Sequence, residues 1–519
     1  MVKDWGVYKT LHRWPGLIIS FILLYYAVTG IFMNHRELFS GIDVDRNLLP
    51  EAYSYRNWNN AAVKGNLIIS SDSILVFGNI GVWLTDSSFM QYSSFNMGFP
   101  GGSDNRKIFD VHRSSDGELY AASLFGLYSF NPELNAWNKF NIDEDIPRFT
   151  GIESIEDTIY AINRSHLFKG KSEGVKTTFT RYELPAPDGY SKKVTLFETM
   201  WQIHSGEIFG LPGKLFVDIL GLITAFLSVT GIIYFFFPTW IKRRFGKKKS
   251  SKPIVKLNKW SLKWHNKVGA WTFVFLIILF FAGIFLRPPL LIAIAKANVS
   301  PLKYSHLDQP NPWYDKLRAI LYDSERNLIL LSTSDGMFYF NESDLKPKWF
   351  EHQPPISVMG INTLEPYRDG AFLIGSFSGL FLWHPSYPEV FDYARGTVYR
   401  ESTSGRPIGD FKVTGTVTGF GGNKFLVDYE KGAIPLNNEI PFPEMPVNIL
   451  NDSKMSLWNF SLEIHTGRIF EGLLGSFYLL LVPLIGLAGI TVVISGYLLW
   501  WKKYRTKRIQ ITKENSIYP

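Results

Sequence analysis

The sequence predicts a membrane protein of mixed class, in which four transmembrane helices, arranged as two repeated helix pairs, carry a large extracytoplasmic all-β domain. Three observations support this fold. Four apolar segments are long enough to cross about 30 Å of hydrocarbon, which takes roughly 20 helical residues. Two long connections read as short strands separated by Gly, Asn, Asp and Pro. The two halves of the chain also repeat each other in outline.

The four apolar segments define the predicted helices. They run from Leu17 to Met33, from Leu215 to Phe237, from Val268 to Leu286 and from Gly472 to Trp501. The first lacks a small-residue cleavage site, so we interpret it as a retained anchor and not as a signal peptide. With their flanking residues, the predicted transmembrane helices cover 1–36, 200–240, 261–287 and 463–503.

Lysine and arginine predict the orientation of these helices. The segment 241–260, predicted as a linker, and the chain around the tail 504–519 are both rich in basic residues, which remain on the cytoplasmic side. Both termini are therefore predicted to be cytoplasmic, and the β segments 37–199 and 288–462 to lie outside. The net charge of +8 then needs no nucleic-acid partner, because many of the basic residues flank the spans and set the orientation of the helices in the lipid membrane.

Cysteine is absent from the chain. This excludes iron–sulfur clusters held by thiolates, covalently attached c-type haem, Cys-x-x-Cys redox chemistry and disulfides. Any redox centre must therefore use histidine or an oxygen ligand.

The helical repeats place histidines at matching positions. Leu11–Gly16 opens the first span and Trp264–Gly269 opens the third, and both contain His-x-x-x-Gly. Gln202–Phe209 precedes the second span and Glu463–Phe470 precedes the fourth, and both contain Ile-His followed by Ser or Thr and then Gly. This duplication predicts two helix pairs packed as a bundle with pseudo-twofold symmetry.

The β segments contain a second repeat, a glycine or histidine followed by an apolar residue and usually an aromatic one. It recurs at Gly81, Gly126 and His166 in the first segment, and at Gly336, Gly379 and Gly432 in the second. Intervals of roughly 40 to 50 residues match one four-stranded propeller blade per repeat. Three blades cannot close a ring, so we predict one composite propeller-like domain from both segments; the alternative is two separate β sandwiches.

Among ten histidines, the four in the helical repeats are the candidate cofactor ligands. By symmetry His12 and His265 share one depth, at the cytoplasmic ends of their helices. His204 and His465 share another, at the outer ends. Paired imidazoles on facing helices favour haem iron, because zinc normally takes three or four protein ligands. The neighbouring glycines fit a macrocycle between helices, or alternatively only close helix packing.

Other polar residues near the pairs are secondary candidates for binding the cofactor. His35 lies at the correct depth for the outer site but on another face of its helix, which makes it an alternative outer ligand. Arg13, Lys267 and Arg468 stand beside the proposed ligands and could pair with haem propionates, or could simply be basic residues flanking a span. Asp218 is either a residue at the membrane interface or a group that exchanges protons or interacts with a haem propionate.

The motifs from Leu11 to Gly16, the stretch Thr29–Phe32 and the paired Ile-His-Ser/Thr-Gly stretches resemble the membrane proteins associated with PepSY domains. This family includes ferric-siderophore reductases of the bacterial inner membrane. The resemblance covers the four spans, under a third of the chain, and implies that His12, His204, His265 and His465 are axial ligands of b-type haem. The blade-like repeats differ from PepSY modules, so the resemblance does not extend to the substrate.

These features predict an oxidoreductase that supports iron acquisition. Two alternative functions remain open. The hypothesis is that electrons from a cytoplasmic flavin reductase or the quinol pool pass through an inner and an outer haem to a ferric siderophore or similar iron chelate in the periplasm. The main alternative is a membrane-anchored propeller that senses or binds a ligand without redox activity. A transporter would require broken helices, for which one proline, Pro483, is weak support.

Aromatic residues of the outer segments have two possible roles. They are Trp83, Trp137, Trp313, Tyr339 and Trp383. They could line a substrate site, or they could fill the cores of the blades, which is their usual place in such domains.

Overall fold

The computed structural model describes residues 5–515 apart from 145, 249, 358, 401–408, 420–421 and 437–439, with side chains as far as residue 505. Two compact units are present. The helical unit comprises Met1–Arg36, Lys192–Gln309 and Trp458–Pro519. The β unit comprises Glu37–Ser191 and Pro310–Leu457, so both long segments contribute to one all-β domain.

Four helices of the helical unit are long and apolar enough to cross a membrane. The α-helices in chain order are α1 Trp5–Asn34, α2 Leu196–Ser205, α3 Gly210–Gly246, α4 Lys252–Ile284, α5 Leu290–Ile294, α6 Val447–Asp452, α7 Leu457–His465, α8 Glu471–Leu474 and α9 Tyr478–Asn515. The candidate spans are α1, α3, α4 and α9, two of which also include short 3-10 turns at Glu207–Phe209 and Arg468–Phe470. This is the predicted number of spans, and the chain is a membrane protein.

The four long helices form a bundle in which each contacts two neighbours. Helix α1 packs against α3 and α9, and α4 packs against the same two helices. Helices α1 and α4, which hold the matching positions in the two repeats, are therefore diagonal to each other. Each repeat contributes one antiparallel pair, α1 with α3 and α4 with α9, as in other bundles.

Helices extend beyond the predicted boundaries at the basic ends. Helix α3 continues to Gly246 and α4 begins at Lys252, so the non-helical connection is much shorter than the predicted linker 241–260. Helix α9 likewise runs to Asn515, through most of the predicted tail 504–519. Lysine and arginine are good helix formers, and these segments extend an existing helix, which requires no new nucleation.

In the described part of the β unit, six antiparallel sheets have three to five strands each, three sheets from each segment, and their strands follow one another in sequence order. Sheet 1 has strands Gly65–Ser70, Ser73–Gly78, Gly81–Thr85 and Tyr92–Ser94; sheet 2 has Ile108–Arg113, Leu119–Ser123, Gly126–Asn131 and Ala136–Lys139; sheet 3 has Phe149–Ile155, Thr158–Asn163, Leu167–Lys171 and Thr180–Tyr182. Sheet 4 has Leu317–Asp323, Leu328–Thr333, Met337–Phe340 and Lys348–Trp349; sheet 5 has Thr363–Pro366, Phe372–Ser376, Gly379–Trp383, Phe391–Asp392 and Thr397–Val398; sheet 6 has Val413–Thr418, Lys424–Asp428 and Gly432–Pro435.

Two further pairs of short strands lie outside these sheets. Asp43–Val44 pairs with Met455–Ser456 in the β unit, and Val194–Thr195 pairs with Asn298–Val299 in the helical unit. Each pair joins a residue from the first half of the chain to one from the second. The two halves are therefore hydrogen-bonded to each other within both units.

Polar side chains on the first strands link neighbouring sheets. Asp110 of sheet 2 accepts a hydrogen bond from the amide of Ile152 in sheet 3, at 2.8 Å. The carboxamide of Asn66 in sheet 1 makes two hydrogen bonds with the backbone of Thr418 in sheet 6, at 2.8 and 2.9 Å. The first and last sheets along the chain are therefore direct neighbours, although hydrogen-bonded ladders do not run continuously through the six sheets.

The large aromatic residues of the β unit fill its cores. Trp83, Trp137, Trp313 and Trp383 are each no more than 3% exposed. Each packs in a cluster of aliphatic and aromatic side chains from adjacent sheets. These four residues are therefore core residues in this structure, and they do not line an open surface.

Candidate functional site

The first histidine pair consists of His12 on α1 and His265 on α4. The centroids of the two imidazole rings are 6.0 Å apart, and the ring planes make an angle of 71°. Since α1 and α4 are diagonal in the bundle, the two side chains meet across its centre. One histidine comes from each half of the chain.

The second pair repeats this geometry at the other end of α1 and α4, although its histidines come from the short helices α2 and α7. His204, near the C-terminus of α2, and His465, at the C-terminus of α7, have ring centroids 6.0 Å apart at an angle of 62°. His465 contacts Gly30 of α1, eighteen positions beyond His12. At 1.5 Å per residue the two pairs are roughly 27 Å apart along the bundle.

In each pair one imidazole donates to a main-chain carbonyl. The Nδ1 atom of His12 donates to the carbonyl oxygen of Val492, and that of His204 donates to the carbonyl oxygen of Leu279, both at 2.9 Å. A carbonyl can only accept, so Nδ1 carries the proton. Nε2 is then the nitrogen with a lone pair.

The other imidazole of each pair is oriented by a threonine hydroxyl. His265 Nδ1 lies 3.0 Å from Thr230 Oγ1, and His465 Nδ1 lies 3.0 Å from Thr29 Oγ1. Each hydroxyl already donates its proton to a carbonyl one turn earlier in its own helix, at 2.7 Å. The hydroxyl oxygen must accept from Nδ1, so in all four histidines Nε2 is the nitrogen that carries the lone pair.

A glycine of a neighbouring helix packs against each of the four rings. Gly496 contacts His12, Gly231 contacts His265, Gly283 contacts His204 and Gly30 contacts His465. A Cβ atom at Gly283 or Gly496 would lie only 2.8 or 2.7 Å from the ring Cε1 atom. At these two positions a larger residue would displace the imidazole.

These glycines are not the ones that follow the histidines in the sequence motifs. Gly206 and Gly467 end α2 and α7 with φ of 80° and 75°, a conformation that glycine adopts without steric cost. At Gly16 and Gly269 an added Cβ would make ordinary contacts of 3.5 and 3.7 Å with aliphatic side chains. The motif glycines therefore serve as helix caps and packing positions.

Each pair offers two nitrogen donors to one metal ion. In the described part of the chain, no group of three or more His, Asp or Glu side chains could hold a metal. With metal–nitrogen bonds of about 2 Å, as in imidazole complexes of zinc, two rings on opposite sides of one ion have centroids roughly 6 Å apart. The observed separation of 6.0 Å fits two imidazoles that would hold one metal ion between them in both pairs.

Buried polar atoms near the pairs have no hydrogen-bond partner among the described residues. Ser261 Oγ lies one helical turn before His265, and Ser461 Oγ one turn before His465. The Gln202 Oε1 atom, two residues before His204, is in the same state. Such orphaned groups indicate a polar ligand or ordered water at the site, because leaving them unpaired costs about 1–3 kcal/mol each.

Arg287 and Tyr26 are two residues at the second pair that sequence reasoning missed as site residues. The Tyr26 ring stacks on His465 with centroids 4.9 Å apart, and its buried hydroxyl has no hydrogen-bond partner in the described chain. Arg287 interacts electrostatically with Tyr26, and its buried Nε and Nη2 atoms also have no hydrogen-bond partner there. The one available signal was that Arg287 follows the third span at the position where the first repeat has Asn34, one residue before His35.

The basic residues that were predicted to serve propionates have partners within the protein. The Arg13 guanidinium lies over Phe235 at 4.8 Å, and the Lys267 ammonium lies over Trp271 at 4.4 Å. Arg468 forms an ion pair with the buried Glu463 at 2.5 Å. These contacts place each side chain near a span end, as basic flanking residues commonly are.

His35 lies apart from the second pair. It follows the last residue of α1, and its Nε2 atom is 2.6 Å from a carboxylate oxygen of Asp218 on α3. Asn34 donates to the other oxygen of that carboxylate at 3.0 Å. The Nε2 atom of His35, which was predicted as an alternative outer ligand, is therefore bonded to the Asp218 carboxylate in this structure.

Comparisons with known proteins give one informative match. A family model described as the PepSY-associated TM region matches residues 6–237 and again 233–503, so it matches each half of the chain once. A search of curated proteins found no match. The repeat of the match agrees with the duplicated plan seen in the helices.

Solved structures show only a weak likeness. An extracellular domain of a hybrid two-component system from B. thetaiotaomicron is 12% identical with a TM-score of 0.33, covering 74% of this chain and 40% of that one. The mitotic checkpoint complex is 7% identical with a TM-score of 0.32, covering 76% and 88%. This chain thus spans about two-fifths of the bacterial domain, and TM-scores of this size support no conclusion about fold or function.

Proposed function

This chain belongs to the PepSY-associated TM region family, and on that premise we propose that it binds two b-type haems and transfers electrons across a bacterial inner membrane to a ferric chelate of the siderophore type. The observation that carries the proposal is the pair of matched histidine sites, each with ring centroids 6.0 Å apart. Their Nδ1 atoms are all held by acceptors, which leaves Nε2 for iron.

The residues at each site suit a haem better than a bare metal ion. Two imidazoles are a common axial ligand set, and the surroundings are apolar helix surfaces with glycines against the rings. Haem, when bound, supplies one-electron redox chemistry. The four histidines would ligate the iron through Nε2, and the groups that contact Nδ1 would orient the imidazoles.

The charged groups at the second pair support a site for haem carboxylates. The guanidinium Nε and Nη2 atoms of Arg287 and the hydroxyl of Tyr26 are buried donors without a hydrogen-bond partner in the described chain. A propionate would accept from such donors through charge-assisted hydrogen bonds. These groups thus replace Arg13, Lys267 and Arg468 as the favoured propionate partners.

The spacing of the pairs supports transfer across the membrane. The sites lie roughly 27 Å apart along α1, close to the thickness of the hydrocarbon core of about 30 Å. The basic ends of α3 and α9 favour a cytoplasmic position for both termini and for the His12–His265 pair. Electrons would enter there from a flavin reductase or the quinol pool, and leave near His204 and His465.

We further propose that the six sheets form a single six-bladed propeller on the periplasmic side. The order of the sheets follows the chain, and the Asn66–Thr418 hydrogen bonds join sheet 6 to sheet 1. A ring of this kind removes the exposed sheet edges that separate sandwiches would leave.

The proposal is tested first by the absorption spectrum of the full-length protein purified in detergent, oxidised and then reduced with dithionite. We expect the sharp reduced bands of b-type haem with two axial histidines, and a pyridine-haemochrome content of about two haems per chain. A colourless protein, expressed with an adequate haem supply, would contradict the proposal. The leading hypothesis would then be a membrane-anchored sensor or binding module.

Replacing Arg287 with glutamine is expected to weaken haem retention at the second pair. Loss of a buried charge-assisted contact should cost about 1.4 kcal/mol or more, a tenfold change in affinity. The measurement is the rate of haem transfer to excess apomyoglobin, compared with the wild type and with Lys267→Gln, whose side chain stacks on Trp271. Equal rates in all three proteins would show that Arg287 does not hold the cofactor.

A further inference from the structure

Two of the four paired histidines are preceded by a serine at the same spacing. Ser261 stands four residues before His265 on α4, and Ser461 stands four residues before His465 on α7, each in a Ser-Leu-x-x-His stretch. The duplication of the chain does not explain this match, because α4 corresponds to α1 and α7 to α2, and neither α1 nor α2 has a serine four residues before its histidine. Serine therefore occurs at two unrelated positions of the repeat with the same relation to a histidine.

The hydroxyl groups of both serines are buried and unpaired. Ser261 is 0% exposed and Ser461 is 1% exposed, and neither Oγ atom has a hydrogen-bond partner in the described chain. A buried serine or threonine in a helix commonly donates to the carbonyl four residues earlier, as Ser20, Thr224 and Thr272 do here at 2.6, 2.8 and 2.9 Å. The two serines do not use this acceptor, and leaving a buried hydroxyl unpaired is costly. Both hydroxyls are therefore available to a group that is not part of the chain.

The serine of the first pair lies between its histidine and the basic end of the bundle. Residues four apart are neighbours on a helix surface, so Ser261 and His265 share one face of α4. Ser261 is roughly 6 Å closer than His265 to the start of the helix at Lys252, which is its basic and proposed cytoplasmic end. Ser261 thus lies on the side of the first pair that faces this end.

The serine of the second pair lies between its histidine and the opposite end of the bundle. At the start of α7, Trp458 Nε1 donates to the carbonyl of Met33, close to the last residue of α1, at 3.1 Å. At the end of α7, His465 contacts Gly30, which is further into α1. Ser461 stands between Trp458 and His465 on α7, so it lies on the side of the second pair that faces the outer end of α1.

A haem carries two carboxylate groups on one edge of an otherwise apolar ring. Within a bundle in lipid, this charged edge is favoured at the end nearer to water. A serine hydroxyl donates to a carboxylate in a charge-assisted hydrogen bond, which is stronger than a bond between neutral groups. With the iron held by the histidines, such an orientation brings the carboxylates to the side of each site on which the serine lies.

We propose that Ser261 and Ser461 each donate a hydrogen bond to a haem carboxylate, and that both haems therefore have their carboxylate edges directed towards the nearer membrane surface. This inference rests on the proposed function, because it requires a haem at each histidine pair. Arg287 and Tyr26 lie at the second pair, where Ser461 is an additional donor. At the first pair Ser261 fills this role with a neutral side chain.

The test compares two iron porphyrins in the full-length protein in detergent. Protein expressed without haem is loaded either with haem or with iron octaethylporphyrin, which has no carboxylate group, and the decay of the bound Soret band is followed in the presence of excess apomyoglobin. We expect Ser261→Ala and Ser461→Ala each to accelerate the loss of one of the two haems about tenfold, which is the effect of removing a hydrogen bond to a charged group. Neither substitution should change the loss of iron octaethylporphyrin.

The matched control is Ser20→Ala, since the Ser20 hydroxyl donates to the Gly16 carbonyl, and this variant should lose haem at the wild-type rate. The midpoint potential of the affected haem should also fall in the two test variants, because a carboxylate without its donor keeps more negative charge near the iron. Equal acceleration for both porphyrins would show that the serines only pack the site, and unchanged haem loss would equally overturn the inference. A wild type that binds neither porphyrin would contradict the proposed function itself.

Discussion

Replacing His265 with alanine is expected to remove about half of the bound haem, leaving the second histidine pair loaded. His265 supplies one of two axial nitrogens, and its partner His12 lies 6.0 Å away, ring to ring, with no third candidate ligand beside it in the described chain. His465→Ala should empty the other site in the same way. The measurement is the pyridine-haemochrome content per chain, together with the midpoint potential of the haem that remains.

Either single variant should also abolish reduction of an external ferric chelate by internal reductant in proteoliposomes. Each site is needed because the pairs are roughly 27 Å apart along the helices, so the remaining site cannot serve both membrane faces. His35→Ala is the matched control, since His35 bonds to Asp218 and should leave the haem content unchanged. Loss of haem in His35→Ala with full retention in His465→Ala would show that His35 is the true outer ligand.

Replacing Gly283 with alanine is expected to damage the second site selectively. The added Cβ would lie 2.8 Å from Cε1 of His204, far inside normal contact distance, so the ring must shift from its position opposite His465. The repeat supplies the control, because Gly30 occupies the matching position in α1 and its Cβ would lie 3.5 Å from His465. We expect Gly283→Ala to weaken haem binding at this pair at least tenfold and Gly30→Ala to change it little.

The readout for the glycine variants is haem content after detergent washing, with near-ultraviolet circular dichroism of the β unit as a check on folding. The same comparison can be made at the first pair with Gly496→Ala, whose Cβ would lie 2.7 Å from His12, and Gly231→Ala at 3.4 Å from His265. Equal haem loss in both members of a comparison would show that helix packing, and not the imidazole position, explains the effect.

The sequence was most informative where duplication gave two independent copies of a motif. Each of the four histidines alone could have been an interfacial side chain, but repetition at matching depths predicted which two would meet. The identity of the groups that orient them could not be predicted. Val492 and Leu279 act through main-chain carbonyls, which carry no residue signature, and the contacting glycines lie far away in sequence.

The predictions for charged residues were the least reliable, because sequence proximity does not determine where a long side chain points. Arg468 stands three residues after His465, yet its guanidinium bonds to Glu463. Arg287 has no basic counterpart in the first repeat, so the pattern that identified the histidines could not identify it. Its candidacy depends on the burial of its Nε and Nη2 atoms without a hydrogen-bond partner in the described chain, which only coordinates reveal.

The starts of strands in the β unit were easier to predict from the sequence than the ends of the helices. Glycine before an apolar and an aromatic residue marks the start of a strand at Gly81, Gly126 and Gly379, because a tight turn must precede it. Helix ends depend instead on whether a polar segment continues an existing helix. That choice is a small energy difference, and in the predicted linker 241–260 most residues continue the helices on either side.

The diagonal arrangement of the ligands has a consequence for biosynthesis. Each pair takes one histidine from each half, so a nascent chain has no complete site until residue 265 has been translated and inserted. The second pair is complete only once residue 465 has been added. Under the proposed function, a ribosome-stalled or truncated product that ends between residues 265 and 465 would therefore hold at most one loaded centre.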